Sequence, residues 1–400
     1  MRAFLFLVVG ACSSDPKIYG PSYDGGSDAV TQNDAEQSDA VTSDAVMASD
    51  VASDGPSCAS QIAFVGGNGT SAFGAGGPLG GNIALAAIPA TLLDCGNDLG
   101  CANPVAIARF GSGLLAVIAQ SSGALASSPY QTSWADPAPV ASASAIDGPA
   151  LAPMTSALHL VYQGADYKYY HAQYTQSAWD SATDPVGGGG SNQSFGARAV
   201  GAAAAGTTLV IVQAGSDSYL YDQTWSGSWA AAHQQASAAV QNTLPPAMIA
   251  LSGGASDLLA AYLRVTDYKV MTVARTSGTW SATPMLVDTN AFSNDPIALA
   301  PLPGGKALLV FRGSDKKPYF STWDGAATWT APAPVVTNNN PVVLSTPSAA
   351  PGVCGADAVV AWAESGGGVR YATFTAGAFS SPESLAGTSG AKFVTVATLP

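Results

Sequence analysis

The most constraining feature of the sequence is a row of aromatic residues at nearly constant spacing. They stand 45, 50, 51, 49 and 50 residues apart and comprise Trp134, Trp179, Trp229, Trp280, Trp329 and Phe379. Self-similarity at a period of roughly 40–50 residues indicates an array of equal supersecondary units. The sequence therefore predicts a repeat protein in which each unit ends near one of these aromatics.

Each repeat contains four short segments that are typical of β-strands. The second segment is the most apolar, as in Leu258 to Leu263 and Leu308 to Phe311, and the third is aromatic, as in Pro318 to Trp323. Apolar runs of this length between Gly, Ser and Asp residues indicate buried strands. Four strands in a unit of about 45–50 residues are typical of one blade of a β-propeller.

The two ends of the repeat region complement each other. Residues 392–400 resemble the first strand of a further repeat, and residues 60–93 lack a first strand but supply the rest. A blade shared between the termini would leave no open sheet edge. The predicted fold is therefore all-β, a seven-bladed β-propeller closed by pairing of the N- and C-terminal strands. Six or eight blades, or an open β-solenoid, are the alternatives.

The N-terminus carries a targeting signal. Arg2 precedes an apolar run from Ala3 to Val9, which is followed by Gly10-Ala11-Cys12. This arrangement resembles the lipobox of bacterial lipoproteins. The resemblance implies cleavage before Cys12 and a lipid on its sulfur, with anchoring in the outer membrane or on the cell surface of a Gram-negative bacterium. An ordinary secretory signal with a chance cysteine is the alternative.

The segment after Cys12 is acidic and of low complexity. Residues 1–57 hold nine acidic and two basic residues, and Ser-Asp-Ala-Val recurs at 27–30, 38–41 and 43–46. Such a segment buries too little apolar surface to offset the entropy of ordering it. The predicted organisation is a signal peptide at 1–11, the lipidated cysteine and a disordered linker at 12–57, and the propeller at 58–400.

Four further cysteines are expected to form disulfides, since the chain is predicted to be exported. Cys95 and Cys101 bracket a short loop, and Cys58 with Cys354 would join the start of the domain to a late repeat. The cysteine and histidine spacing fits no zinc pattern, so no metal is expected. Residues 58–400 lack a basic cluster, which argues against nucleic acid as a partner. A monomer is expected.

Two resemblances to known propeller families are present. Ser321-Thr322-Trp323-Asp324-Gly325, followed by Trp329, resembles the Asp-box of sialidase-like (BNR-repeat) propellers. The blade rhythm over about 300 residues resembles the fucose-binding propeller lectins of fungi and bacteria. The first resemblance implies a braced turn and no catalytic role. The second implies sugar sites between blades, each built from an Arg, a Gln or Glu, and an aromatic residue.

A candidate site follows from a column of polar residues near the end of each second strand. The column comprises Gln120, Gln163, Gln213, Arg264, Arg312 and Glu364. Sugar hydroxyls need bidentate donors and acceptors, which these side chains provide. The predicted ligand-binding residues are Arg264, Arg312, Glu364, Gln163, Gln213, Tyr319 and Trp323. The alternative is that a polar residue only marks where each strand leaves the core.

Catalysis finds no support in the sequence. Residues 58–400 contain six Arg and two Glu, and no carboxylate pair or cofactor motif stands out. No catalytic residue and no cofactor are therefore predicted. The hypothesis is an envelope-anchored propeller that binds carbohydrate through grooves between its blades. A protein-interaction scaffold of the outer membrane is the first alternative, and a glycan-acting hydrolase is the second.

Overall fold

The computed structural model of the chain describes residues 61–68, 71–79, 81–92, 104–175, 178–180, 184–187, 200–336, 341–366 and 368–399. All of them lie in the unit Pro56–Pro400. The described structure is all-β apart from one short 3-10 helix, Pro303–Gly305. The strands in chain order are β1 (Gln61–Gly67), β2 (Ala72–Pro78), β3 (Ala84–Ile88), β4 (Val105–Phe110), β5 (Gly113–Ala119), β6 (Ala124–Tyr130), β7 (Ala138–Ser144), β8 (Ala150–Pro153), β9 (Leu158–Gln163), β10 (Tyr169–Thr175), β11 (Ala178–Trp179), β12 (Asp184–Pro185), β13 (Gly201–Ala205), β14 (Thr208–Ala214), β15 (Tyr219–Trp225), β16 (His233–Ala239), β17 (Ala247–Ala250), β18 (Leu258–Leu263), β19 (Val270–Thr276), β20 (Thr279–Trp280), β21 (Met285–Leu286), β22 (Ala298–Leu302), β23 (Lys306–Arg312), β24 (Pro318–Trp323), β25 (Ala333–Pro334), β26 (Ser348–Pro351), β27 (Ala358–Ala363), β28 (Val369–Thr375), β29 (Ala378–Phe379), β30 (Glu383–Leu385) and β31 (Phe393–Leu399).

The strands form seven antiparallel sheets, which are the seven blades of a β-propeller. Blade 1 has the order β3-β2-β1-β31, and blades 2 to 7 begin in turn with β4, β8, β13, β17, β22 and β26. In blades 3, 5 and 7 the outermost position is divided between two short strands. The seven-bladed fold predicted from the repeat period is confirmed.

The innermost strands of the blades surround a central channel. These strands contact one another in a closed ring, in the order β31, β4, β8, β13, β17, β22 and β26. A cavity of about 310 Å³ lies between them and is lined mainly by small and apolar residues, such as Ala106, Gly201 and Ala298. The small side chains allow the seven strands to approach the axis closely.

The ring closes by pairing of the first and last described strands. The C-terminal strand β31 lies antiparallel to β1, with Gln61 opposite Leu399 and Gly67 opposite Phe393. Val394 and Val396 of β31 are buried against the core of blade 7. This pairing confirms the predicted sharing of one blade between the termini. Without it, the facing edges of β1 and β31 would expose unpaired backbone groups.

The periodic aromatics join neighbouring blades. The indole of Trp329 donates to the Thr272 hydroxyl of the preceding blade at 3.0 Å, and that of Trp179 donates to Ser127 at 3.0 Å. Phe379 packs edge-on against Phe320 of the preceding blade, with ring centroids 5.0 Å apart. The aromatic spacing therefore reflects one contact that is repeated between blades.

Several predictions concern residues outside the described part of the chain. These are the signal peptide at 1–11, the lipidated Cys12, the linker at 12–57, and Cys58, Cys95 and Cys101. The anchor and both disulfide pairings stay predictions. Within the described ranges, none of the helical structure has the length and apolar character needed to span a bilayer.

Candidate functional site

One face of the propeller collects most of the groups that can bind a ligand. We define the turn face as the face formed by the turns between the second and third strands and by the segments that link successive blades. Backbone hydrogen bonds tie these elements together, as where Val343 of the segment entering blade 7 donates to Lys316 of blade 6 at 2.8 Å. The segment entering blade 6 does the same, since Ser293 donates to Tyr268.

The turn between the second and third strands repeats with the same backbone geometry. Its penultimate residue has a positive φ in blades 2 to 6, and these residues are Gly123 (84°), Tyr167 (60°), Ser218 (63°), Tyr268 (56°) and Lys316 (63°). Each amide donates back to the carbonyl that opens the turn, at 2.8 to 3.0 Å. The left-handed conformation is therefore a requirement of the fold at this position.

The six polar residues of the predicted column do not occupy equivalent positions. Gln120, Arg264 and Glu364 open the turn, and each forms an isolated β-bridge with the segment that enters its blade. Gln163 and Arg312 are the last residues of their strands and precede the glycine that opens the turn. Side chains alternate between the two sides of a sheet along a strand. The side chains of Gln163 and Arg312 therefore point to the opposite side of their sheets from those of the residues that open the turn. The structure thus divides the column into separate environments.

Both candidate arginines are ion-paired. Arg264 donates from Nε and Nη2 to the two carboxylate oxygens of Asp267, at 2.8 and 2.6 Å. This bidentate pair lowers the pKa of Asp267 to about 2, although burial acts in the opposite direction. The Arg264 side chain is one-third exposed, so it lies within reach of a ligand at the turn face.

Arg312 is more deeply placed than Arg264. Its Nη1 donates to Asp295 Oδ2 at 2.5 Å, and its Nε donates to the carbonyl of Val343 at 3.0 Å. Asp295 precedes blade 6 and Val343 precedes blade 7. Arg312 therefore holds together the two segments that flank its blade, and only 11% of its side chain is exposed.

The remaining polar candidates differ in accessibility. Glu364 forms an ion pair with Arg370 at 3.0 Å and accepts from the Trp362 indole at 3.3 Å. Gln163 and Gln213 are buried, and the Gln213 Oε1 has no hydrogen-bond partner among the described residues. The structure thus brings Glu364 and Arg264 to the surface of the turn face, while both glutamines lie beneath it.

The two candidate aromatics also differ. Trp323 is fully buried and stacks with Trp329, with ring centroids 6.4 Å apart. Tyr319 is half-buried, packs toward blade 5, and donates its hydroxyl to Asp315 at 2.9 Å. Of the two rings, only that of Tyr319 is partly exposed.

Tyr319 belongs to a unit that sequence reasoning missed. Three blades contain Gly-x-Asp-x-x-x-Tyr, in which the tyrosine hydroxyl donates to the aspartate at 2.7 to 2.9 Å, and these pairs are Tyr170 with Asp166, Tyr221 with Asp217, and Tyr319 with Asp315. The glycine is needed because a Cβ on Gly215 would lie 2.6 Å from the Tyr221 ring and 2.4 Å from Asp217. We call these three sites the Tyr–Asp units. The signal was available in the sequence as Gly164, Gly215 and Gly313 at the same distance from a tyrosine.

The Tyr–Asp units lie beside the preceding blade. The rings of Tyr170, Tyr221 and Tyr319 pack against blades 2, 3 and 5, respectively. The aspartates are exposed and the tyrosines are partly exposed. The hydrogen bond to Asp217, with smaller contributions from burial, raises the pKa of Tyr221. Each unit therefore combines a partly exposed aromatic ring with an exposed carboxylate.

Most of the exposed large apolar side chains also lie on the turn face. They comprise Ile146, Tyr167, Tyr219, Tyr268, Phe292, Val342 and Leu344. The segments between blades contain Ile146, Phe292, Val342 and Leu344, and the three tyrosines lie in or directly after the turns. Seven of the nine exposed large apolar side chains among the described residues therefore lie on this face.

The opposite face contains the predicted Asp-box-like turn. Asp324 Oδ1 accepts from the backbone amides of Ala326, Ala327 and Thr328 at 2.9 to 3.0 Å. These hydrogen bonds lower the pKa of Asp324, and the bond from Thr328 contributes most. The carboxylate is used to brace the turn, so its role is structural. Within the described ranges, no group of three His, Cys, Asp or Glu side chains is placed to hold a metal ion.

Comparison with known proteins identifies structural relatives of the propeller. The chain is similar to the BP39L lectin from Burkholderia pseudomallei, with a TM-score of 0.64 and 16% identity, over 82% of this chain and 95% of that one. It is also similar to AofleA from Arthrobotrys oligospora, with a TM-score of 0.50 and 12% identity, over 75% of this chain and 90% of that one.

Sequence comparison adds no further relative. No family model matches the chain, and no curated protein matches it in sequence. The resemblance to sialidase-like propellers therefore stays a prediction. At these identities the structural similarity establishes the fold, and the chain is a seven-bladed β-propeller with structural neighbours among the lectin propellers.

Proposed function

We propose that the propeller is a non-catalytic carbohydrate-binding module whose sites lie in the grooves between blades on the turn face. The observation that carries this proposal is the Tyr–Asp unit, which occurs in blades 3, 4 and 6. An aromatic ring packs against the C–H face of a sugar, and a carboxylate accepts hydrogen bonds from its hydroxyls. Three copies of this combination give three equivalent grooves.

Two further observations support the proposal. The structural neighbour BP39L is a lectin, and it shares the propeller over 95% of its length. The Arg264–Asp267 pair adds bidentate donors and acceptors in blade 5, where the third strand has Met271 in place of the tyrosine. Blades 3 to 6 thus each present polar groups suited to sugar hydroxyls at the turn face.

A glycan array probed with the full chain tests this function. The array carries α-methyl fucoside together with other neutral and acidic glycans, and we expect retention on a subset of them. The triple variant Asp166→Asn, Asp217→Asn and Asp315→Asn removes the carboxylates of all three grooves and is expected to lower retention at least tenfold. Asp324→Asn, an aspartate of the opposite face, serves as the matched control. Absence of retention on every glycan at high micromolar protein would refute carbohydrate binding.

We also propose that the propeller is attached to the bacterial outer membrane through a lipid on Cys12. The apolar run and the Gly10-Ala11-Cys12 sequence support this location. Cells grown with labelled palmitate should yield labelled protein, and Cys12→Ser should abolish the label while the protein is still exported. Label that persists in this variant would contradict lipidation at Cys12.

A second candidate function is that of a protein-interaction scaffold. Val342 and Leu344 flank the buried Val343 on the segment entering blade 7 and are 43% exposed, and Phe292 occupies the segment entering blade 6. Exposed apolar side chains on one face favour a protein partner. Replacement of Val342 and Leu344 by Ser would abolish capture of an envelope protein in cross-linking experiments if this function holds, and would leave glycan retention unchanged.

A further inference from the structure

The turns of blades 3 and 5 contain the same tripeptide, Asp-Tyr-Lys. It occurs as Asp166-Tyr167-Lys168 and as Asp267-Tyr268-Lys269. In both copies the tyrosine has a positive φ, and the lysine Nζ lies 3.7 Å from the aspartate Oδ2. Two blades therefore present this tripeptide in a similar local geometry, with one blade between them.

The fold explains the backbone of this turn but not the choice of tyrosine. A positive φ suits Gly, which is found at the equivalent Gly123 of blade 2. For a bulky side chain the left-handed conformation is strained. The aspartate, whose Oδ1 accepts from the lysine amide, already braces the turn in both copies. The tyrosine side chains are thus not needed to form the turn.

These tyrosines point into solvent. Tyr167 is 59% exposed and Tyr268 is 37% exposed. In blade 4, which stands between them, Tyr219 directly follows the positive-φ Ser218 and is 39% exposed. Three consecutive blades therefore each place one exposed tyrosine at the turn face, and the three do not belong to the Tyr–Asp units described above.

We propose that Tyr167, Tyr219 and Tyr268 form an aromatic track that binds an extended polysaccharide chain. The inference rests on the proposed carbohydrate-binding function and names its ligand class. A row of platforms on neighbouring blades suits a polymer, whose successive sugar rings stack on successive tyrosines. Tyrosine provides a large contact area at low cost in conformational entropy.

The lysines extend the same chemistry. Lys168 and Lys269 directly follow the two tyrosines in the sequence, and their ammonium groups each carry three donors. Each lysine is paired with an aspartate that offsets its charge. The combination of a ring and nearby hydrogen-bond donors fits sugar hydroxyls. Several weak contacts along one chain raise the overall affinity above that of any single contact.

The strained backbone makes a sharp experiment possible. Tyr167→Gly and Tyr268→Gly remove the ring and also relieve the left-handed strain, so the double variant should melt no lower than the wild type. Ser218→Gly changes the same turn position in blade 4, where no ring is lost, and is the matched control. Binding of the full chain is measured by affinity electrophoresis in gels that contain mannan, xylan, dextran or fucoidan, and by competition with the corresponding monosaccharides.

The inference predicts that at least one polysaccharide retards the wild-type protein and that its monosaccharide competes poorly. The Tyr167→Gly, Tyr268→Gly variant should bind that polymer about tenfold or more weakly, at an unchanged or higher melting temperature. The control variant should bind as the wild type does. Equal retardation of wild type and double variant would overturn the aromatic track and leave carbohydrate binding in the grooves intact. Failure of the wild type to bind any glycan would remove the proposed function itself.

Discussion

The pair of buried histidines between blades 3 and 4 makes the stability of the propeller dependent on pH. His159 and His171 are both 1% exposed, and their rings stack with centroids 5.1 Å apart. His159 Nδ1 lies 2.9 Å from His171 Nε2, so one ring donates and the other accepts when both are neutral. Trp225 of blade 4 covers both rings at 4.9 and 5.3 Å.

Burial lowers the pKa of both histidines. That of His159 falls to about 4, chiefly through burial and secondarily through the charge of His171. That of His171 also falls to about 4 through burial, although the carboxylate of Asp180 opposes the change. The folded pKa values thus lie below the value of 6.5 expected for the unfolded chain. The unfolded state therefore binds more protons, and stability is lost as the pH falls from about 6.5 toward 4.

The size of the loss follows from this difference. Between pH 7 and pH 5 each histidine takes up a proton in the unfolded chain but stays neutral in the folded one, which costs about 2 kcal/mol per histidine. The two together should lower the free energy of unfolding by roughly 4 kcal/mol. Carboxylates with lowered pKa values, such as Asp267, stay ionised above pH 5, so they do not add to the change in the free energy of unfolding between pH 7 and pH 5.

Urea unfolding of the full chain at pH 7 and pH 5, followed by tryptophan fluorescence, measures this loss. The variant His159→Leu, His171→Phe replaces both titrating rings with apolar groups of similar size, and it should lose most of the difference between the two pH values. His233, whose side chain is 75% exposed, provides the control His233→Gln, which should behave as the wild type does. An equal pH dependence in the wild type and the double variant would refute the assignment.

Three further predictions concern the fold and the turn face. Val394→Asp places a charge in the buried face of the closing strand and should lower the free energy of unfolding by more than about 3 kcal/mol, measured by chemical denaturation. Gly74→Ala adds a Cβ that would lie 2.2 Å from the Trp134 ring, so it should cost about 1–3 kcal/mol, whereas an unchanged melting temperature would contradict the contact between blades 1 and 2. Asp267→Asn breaks the bidentate pair with Arg264, and because both side chains are about one-third exposed, the free energy of unfolding should fall by less than about 1 kcal/mol. The effect of this variant on glycan retention should be larger than its effect on stability.

The architecture could be predicted from the sequence because it depends on a period. The aromatics that join the blades recur once in each of blades 2 to 7, and the unpaired first strand at the C-terminus matches the missing strand near the N-terminus. Such patterns persist when individual residues vary. The number of blades and the closing strand followed from counting units, without knowledge of any side-chain contact.

The binding site was less predictable because side-chain direction in a strand reverses with each residue. Arg264 and Arg312 look equivalent by spacing, but the first opens its turn and the second ends its strand one residue before the turn. This offset of one residue sends the two guanidinium groups to different faces of their blades. By contrast, the repeated Asp-Tyr-Lys was readable in the sequence, and only the positive φ of Tyr167 and Tyr268 shows why it is unusual.

The pairing of β1 with β31 also determines when the molecule can finish folding. Besides β2, the strand β1 pairs with β31, which lies more than 300 residues later, so blade 1 cannot be completed until β31 has been synthesised. Blades 2 to 7 consist of consecutive strands and can form as the chain emerges. Because pairing of distant segments is slow, closure of blade 1 should limit the folding rate. A protease supplied during synthesis should therefore cleave the β1–β3 segment for longer than any other blade.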